Sequence, residues 1–572
     1  MFPNEILLSG SVRAFFERAD LSASVEALNA VVRDACGIRM FFDGPSQVEE
    51  LKQALSVVEE GVFSFSEEQK EFGDFQTNIC LAKKICRYLK KKKCVPEILV
   101  EPTCGQGNFV LAALESFPSL RTVVCVEIQP RHVLKLKYSI LDFYLSNKRG
   151  ESLPEIEIFT GNVFDFEFAS SVPKTGEILV LGNPPWVTNS ALGAMGSENL
   201  PKKTNYKKNI GLAAITGKSN FDLGEFVLKM MLENFSSRKG VIAFLLKNSV
   251  IKNTVHAQKT LQMPICNMEM LSIDAPSEFN ADVDASLFFA QFSANDVGFK
   301  CRRGDFYLET KESVLGWVGE KFVSDIDDYA RYSEFDGESP LVWRQGIKHD
   351  CAKVMELTRR NDAFFENRLG EVFELERESV FGLLKSSDLK SERVCEPRKY
   401  TILTQRRTGE NPSYHLASWP KTLSYLRAHA GMFAARKSSI YKNRPEFSMF
   451  GVGDYSLAPY KVAISGFYKQ TKFSLVTPQN GKPLLLDDTC YFLGFNREEE
   501  AEFVLTLLNS EPVQAFLRAI VFFDSKRGIT KDVLMRVDLI KVADLLNLDA
   551  PHGFSFNPRQ SKQAQEELAL KF

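Results

Sequence analysis

Apolar positions along this chain follow two periods. Between residues 98 and 292 they gather in short continuous runs: Ile98-Leu99-Val100, Thr122 to Val126, Ile178-Leu179-Val180-Leu181, Gly240 to Leu246, Met268 to Ile273 and Ala285 to Phe292. Short runs of β-branched and leucine residues predict strands buried on both faces. Ile156-Glu157-Ile158-Phe159-Thr160 adds one alternating strand. Between the runs the spacing turns helical, through Ile79, Ala82, Ile85 and Leu89, from Val110 to Leu114, and through Phe226, Met230 and Leu232. Thr77 or Asn78 stands where a cap for the first of these helices belongs. Strand and helix in alternation predict an α/β domain. Before it, Val25, Leu28, Val31 and Val32, then Leu51, Leu55, Val57 and Val58, predict a helical arm over 1–66. Ala275 to Phe279 predicts a turn. The stretch 187–220, rich in Gly, Ser, Asn and Lys, is too long for an ordinary connection.

Length and composition narrow the picture only a little. A chain of 572 residues exceeds one ordinary core and predicts two or three domains. A formal charge of −2 means that nucleic-acid binding must rest on local patches. The 11 cysteines form no CxxC pair and only 6 histidines accompany them, which predicts no metal site and the reduced thiols of a cytoplasmic protein. No signal sequence opens the chain and no apolar run nears the roughly 18 residues of a membrane span, so no membrane partner is expected.

Three strand ends carry chemistry. The run ending at Leu181 meets Gly182-Asn183-Pro184-Pro185-Trp186. Two prolines hold φ near −65° and donate no N–H, so the strand stops in a stiff corner. That corner presents the Asn183 amide oxygen, the Pro184 carbonyl and the Trp186 ring at a strand's carboxyl end, where open α/β sheets bind ligands. Two acceptors suit the two hydrogens of an exocyclic amine on a planar base, with Trp186 to stack on its ring. The first strand runs into Glu101-Pro102-Thr103-Cys104-Gly105-Gln106-Gly107-Asn108-Phe109. Gly105 and Gly107 permit a tight turn and close approach of a ligand to the backbone. The second strand ends in Glu127, placed to accept ribose hydroxyls.

Together these stretches resemble the motifs of the class I S-adenosylmethionine-dependent methyltransferases. Asn183 to Trp186 resembles the catalytic motif of the amino-methyltransferases. Phe75-Gln76-Thr77-Asn78 is similar to their cofactor-covering motif, with Asn78 where proline is usual. Motif order is that of the gamma class of adenine-N6 DNA methyltransferases, over about residues 70 to 295. The resemblance implies a Rossmann-like seven-stranded sheet over 67–298, between the helical arm and a C-terminal α+β target-recognition domain over 299–572. It implies S-adenosylmethionine as cofactor, held by Phe75, Gln76 and Thr77, by Glu101, Thr103, Cys104, Gly105, Gly107 and Phe109, and by Glu127 and Ile128. Asn162, Val163 and Phe164 would meet the adenine of the cofactor, and Asn183 and Phe221 complete the pocket. Catalysis would fall to Asn183, Pro184, Pro185 and Trp186, with Trp186 and Phe279 stacking on a flipped target base. Val163, Phe164 and Phe279 read equally well as core residues.

The implied partner is double-stranded DNA. No nuclease signature is present, so modification without cleavage is expected of this chain, and any cleavage would fall to a separate restriction endonuclease or defence-system subunits whose existence the sequence does not state. From Lys385 to Glu446 the sequence holds 13 Lys/Arg against 5 Asp/Glu, interleaved with Tyr400, Tyr414, Trp419, Tyr425 and Tyr441. Such an excess suits phosphate and base contacts. Candidates there are Lys385, Arg406, Arg407, Arg436, Lys437, Lys442 and Arg444. Lys526 and Arg527 form a second basic loop, and Lys202, Lys203, Lys207 and Lys208 a third. Alternatives remain open at this point: cytosine N4, guanine N2 of ribosomal RNA, a release-factor glutamine, or a DNA-binding protein with an inactive core.

Overall fold

The computed structural model describes residues 8–56, 76–147, 152–187, 222–308, 310–467, 470–523 and 527–556. Two compact units divide the chain, Met1–Glu320 and Lys321–Phe572.

The first unit is built on one twisted sheet. Its strands are β1 (Ile98–Glu101), β2 (Thr122–Glu127), β3 (Glu155–Thr160), β4 (Ile178–Gly182), β5 (Gly240–Lys247), β6 (Ile265–Ile273), β7 (Ala285–Phe292), β8 (Lys300–Asp305) and β9 (Thr310–Val318). They lie in the order β9-β8-β6-β7-β5-β4-β1-β2-β3. The strands from β5 to β3 run parallel, and β7 runs antiparallel between β5 and β6. This α/β arrangement, with its reversed seventh strand, is that of the class I methyltransferase sheet. The two added strands, β8 and β9, extend it beyond β6 and carry the unit to Glu320, past the expected end at 298.

Alternate residues of the central strands divide between the two faces. Leu99, Val123, Cys125, Leu179, Leu181, Ala243 and Leu245 share one core with the helices Ile79–Lys91, Asn108–Ser116 and Pro130–Ser146. The period of two is what places every second side chain in the same layer. The N-terminal helices join this core rather than standing apart. Phe16 and Phe41 meet the Tyr138 ring, Ser9 and Ser11 donate to Asp142, and the buried Lys137 pairs with Asp43 at 3.0 Å. Asn78, not Thr77, caps the helix Ile79–Lys91, accepting from Cys80 N at 2.8 Å. The expected turn Ala275–Phe279 is a single helical turn, because Asp274 accepts from Ser277 N and starts one.

The second unit is α+β. A five-stranded sheet includes Tyr460–Ser465 and Cys490–Phe495 at its centre; a six-stranded sheet includes Glu356–Arg359, Val380–Leu384 and Lys399–Ile402. Each sheet has its own apolar cluster, one around Leu357, Leu383 and Ile402, the other around Ala463, Val476 and Phe492. Among the described residues no helix is long and apolar enough to cross a membrane. Nor do any three His, Cys, Asp or Glu among them group as metal ligands. All 11 cysteines are free thiols.

Candidate active site

Strand order reverses between β1 and β4, and the crevice this opens lies at the strands' carboxyl ends. The glycine turn fills one side of it. Cys104 N donates to Val126 O at 2.9 Å and Gly107 N to Cys104 O at 2.8 Å, which folds the turn back over β2. Gly107 has φ +84°, and a Cβ there would lie 2.0 Å from Leu136 Cδ1. Gly105 has φ +52°, and its Cβ would lie 2.6 Å from the Gln76 amide oxygen. Gly107 therefore requires glycine for conformation and for space, and Gly105 for conformation, its Cβ meeting only the movable end of Gln76.

Glu127 organises this turn. Its carboxylate accepts from Gly105 N and from Gln129 N, each at 2.8 Å, linking the glycine turn to the start of the helix Pro130–Ser146. A carboxylate has about four acceptor positions, so capacity remains for ribose hydroxyls. Gln76 and Thr77 are stapled to the same turn: Gln106 N donates to Gln76 Oε1 at 3.1 Å and Asn108 Nδ2 to Thr77 O at 2.8 Å. Gln106 and Asn108 carry no mark of this role in the sequence, since a contact across about 30 residues leaves no local signal. Cys104 and Phe109 are buried.

Thr103, Glu127, Ile128, Asn162, Val163, Phe164 and Pro185 line one cleft with Pro102, Val126, Gly161, Leu223 and Val227. The last five were not among the expected site residues, because an apolar or glycine identity marks them only as core or loop. Asn162 Oδ1 accepts from Phe164 N at 3.0 Å and so starts a short 3-10 turn at the cleft's rim. Phe164 stands edge-on to Phe226, centroids 5.1 Å apart.

The Asn183–Trp186 corner adjoins this cleft, which Pro185 helps to line. A Cβ on Gly182 would lie 3.5 Å from Glu101 Cγ, so Glu101 lies against the strand that carries Asn183. Glu101 is 2 % exposed, and burial pushes its carboxyl well above the usual range, with Cys125 and Glu127 adding to the shift. Asn183 Oδ1 is buried. Trp186 is buried too; its Nε1 donates to Leu245 O at 3.2 Å and its ring meets Phe279 edge to face, centroids 5.1 Å apart at 65°. The structure thus brings the two expected stacking residues together, but in contact with each other. A base between them would need about 7 Å, twice an aromatic contact distance of ~3.5 Å.

Three buried polar atoms here have no hydrogen-bond partner among the described residues: Glu101 Oε2, Thr103 Oγ1 and Thr77 Oγ1. Buried polar groups are paired as a rule, so orphans around one crevice mark the place of a polar ligand. With a glycine cradle, a carboxylate with spare acceptor capacity and an apolar floor, these residues fit S-adenosylmethionine, which supplies an electrophilic methyl group when bound. Phe75, Phe221, Lys202, Lys203, Lys207, Lys208 and Lys526 lie outside the described residues.

Fold and site together define a class I S-adenosylmethionine-dependent methyltransferase. The chain is 37 % identical over 481 residues to the Type II methyltransferase M.NspV of Nostoc sp., an alignment that spans 83 % of this chain and 98 % of that one. It belongs to the Type II methyltransferases. No family model matches it. Among solved structures it is similar to the Type IIL restriction-modification enzyme MmeI in complex with DNA, at 12 % identity and a TM-score of 0.43. That likeness covers 77 % of this chain and 61 % of MmeI, so the chain spans about three fifths of that protein. A nuclease-deletion mutant of the Type ISP enzyme LlaGI gives the same TM-score and identity over 89 % of this chain and 50 % of that one.

The basic candidates of the second unit separate into two groups. Lys385 pairs with Glu356 at 2.5 Å and Arg407 with Asp454 at 3.0 Å. Arg436 donates to the carbonyls of Phe433, His349 and Ser448 and stacks on Tyr441, its guanidinium 3.7 Å from the ring centroid. Arg527 lies 3.7 Å from Asp488 and over the Phe467 ring. Arg406, Lys437, Lys442 and Arg444 are exposed. Of the interleaved aromatics, Tyr425 and Tyr441 are buried and Tyr414 is 73 % exposed.

Proposed function

We propose that this chain is a site-specific DNA methyltransferase that transfers a methyl group to N6 of an adenine turned out of the duplex. The observation that carries the reading is the Asn183–Trp186 corner, set at the carboxyl end of β4 beside the cofactor cleft. Membership of the Type II methyltransferases supports DNA as the substrate. The base must leave the stack, because its amine cannot reach a buried site while paired. Asn183 Oδ1 and Pro184 O accept its two hydrogens and leave the nitrogen lone pair pointing out of the ring plane. Trp186 is held to β5, so Phe279 moves away and turns, from an edge-to-face contact at 5.1 Å and 65° to the ~7 Å parallel spacing of a stacked base. Positioning and preorganised acceptors carry the catalysis. The nitrogen loses its proton after the methyl arrives, so no base with a pKa near 7 is required.

The second unit is the recognition domain in this reading. Its residues 404–408 and 447–452 run side by side: Thr404 Oγ1 donates to Phe447 O, Met449 N to Gln405 Oε1 and Thr408 N to Val452 O. Exposed Arg406 lies on the first of these segments and Arg444 just before the second, and both suit phosphates or guanine edges. The chain is then the modification component of a restriction–modification system, and a separate endonuclease cuts.

Radiolabelled methyl transfer to duplex DNA, recovered as N6-methyladenine, tests the reading. Asn183→Ala should abolish transfer and leave cofactor affinity nearly intact. Label recovered only in protein or RNA, or as N4-methylcytosine, would overturn it.

A further inference from the structure

The Asn183–Trp186 corner has an unusual problem of support. Pro184 and Pro185 have no N–H to donate, and the Pro184 carbonyl must stay open if it is to accept from a substrate amine. β4 holds the corner on its N-terminal side, where Gly182 pairs with Phe244, and β5 holds it at two points on its C-terminal side, from Trp186 onward. Leu245 O accepts from Trp186 Nε1 at 3.2 Å, and the Lys247 ammonium donates to Trp186 O at 2.5 Å. Gly182 is paired with Phe244, so Lys247 lies three residues past the end of the ladder, about 10 Å along β5, and reaches over the corner. The same ammonium pairs with Asp222 Oδ2 at 2.6 Å. Asp222 is 8 % exposed, and its other oxygen accepts from Gly224 N at 3.0 Å, capping the helix Leu223–Phe235. Leu223 N donates to Val187 O at 2.9 Å, and Leu223 and Val227 line the cofactor cleft.

One cation therefore ties three parts of the site: the carbonyl just after the two prolines, the end of β5, and the cap of a cleft-lining helix. With φ locked at both prolines, fixing the Trp186 peptide also limits how the Pro184 carbonyl and the Asn183 amide can turn. We propose that Lys247 is a positioning residue for methyl transfer, holding the amine-binding corner in register with the cofactor cleft through Trp186 O and Asp222. The inference rests on the methyl-transfer reading above. Nothing in the sequence marks Lys247 for this role, because a lysine at a strand end reads as a solvated charge.

Three variants of the full chain test it. Lys247→Met removes the ammonium at similar volume, and Lys247→Met with Asp222→Asn also removes the carboxylate left behind. Lys247→Arg restores a donor. The substrate is a duplex carrying the site found methylated in the DNA of an expressing host. Cofactor affinity, measured by calorimetry, should stay within about threefold. The single-turnover rate at saturating duplex should fall about 10- to 150-fold in both Met variants, the span of one hydrogen bond to a charged group, with little change in KM for DNA. Lys247→Arg should recover most of it. Without cofactor, 2-aminopurine placed beside the target adenine should brighten less with the Met variants than with the parent, because the corner no longer retains the extruded adenine and the probe stays stacked. Transfer within threefold of the parent in both Met variants would overturn the inference while leaving the methyltransferase reading standing. A loss of cofactor affinity as large as the loss of rate would overturn it too, since Lys247 would then only hold the fold. No methyl transfer to DNA by the parent chain would remove the reading and this inference together.

Discussion

Replacing Glu127 with Gln keeps the side chain's shape and withdraws one acceptor. In the structure its two oxygens receive Gly105 N and Gln129 N, both at 2.8 Å. Glu127 is 7 % exposed, so water does not compensate. The amide oxygen of the substituted side chain could satisfy one N–H, leaving an NH2 against the other, donor facing donor. A hydrogen bond to a charged group contributes about 1.5–3 kcal/mol, so the glycine turn should loosen by that amount. Any acceptor the carboxylate offers a ribose goes as well. S-adenosylmethionine affinity should therefore fall at least about 10- to 150-fold by calorimetry. Hydrogen exchange separates the two contributions: without cofactor, the amides of Gly105 and Gln129 should exchange faster in Glu127→Gln. Cofactor affinity within threefold of the parent, with unchanged exchange at both amides, would refute the argument that Glu127 holds the turn.

Gly107→Ala should cost about 2–5 kcal/mol, from a left-handed backbone and a Cβ 2.0 Å from Leu136 Cδ1, read as lost stability and lost cofactor binding. Gly105→Ala meets the movable end of Gln76, so adding Gln76→Ala should recover part of its deficit in a double-mutant cycle. Burial holds the Glu101 pKa well above 4.5, so the folded chain binds that proton more tightly than the unfolded chain; the contribution is full below 4.5 and is lost as pH rises through the folded value. Glu101→Gln should flatten that decline in thermal scans of the cofactor-free protein above pH 4.5. Arg406→Ala should lower the log–log salt slope of DNA binding by about 0.9 if it meets a phosphate, or cost about 1–3 kcal/mol on the cognate site alone if it reads a guanine.

Strand positions were legible in the sequence because local features state them. Runs of apolar residues marked β1, β2, β4, β5 and β7 to within a residue, β2 at Thr122–Glu127 among them, since a strand buried on both faces has no polar position to blur it, whereas β6 begins at Ile265, three residues before its run, and the half-exposed β3 showed only as an alternation. The strand ends were legible for the same reason: glycine, proline and a terminal acid interrupt each run. What escaped were contacts made by ordinary residues at long range. Gln106, Asn108, Leu223 and Lys247 belong to the site through partners about 25 to 60 residues away.

The basic segment of the second unit shows the division most clearly. By itself the sequence determined that residues 385–446 carry 13 Lys/Arg against 5 Asp/Glu. Only the tertiary structure decided where that charge goes. Glu356, Glu374, Asp454 and Glu498, all outside the window, pair with Lys385, Lys421, Arg407 and Arg393. Arg436 turns inward to three carbonyls, while Arg406, Lys437, Lys442 and Arg444 are exposed, as are Lys390 and Arg427. The same holds at the Asn183–Trp186 corner. Two prolines after Asn183 determined that β4 must end there, a local consequence of φ and a missing N–H. That Trp186 packs against Phe279, and that its carbonyl hangs from Lys247, depended on strands that meet only once the sheet has formed, because Coulomb and contact energies follow distance in space and not separation along the chain.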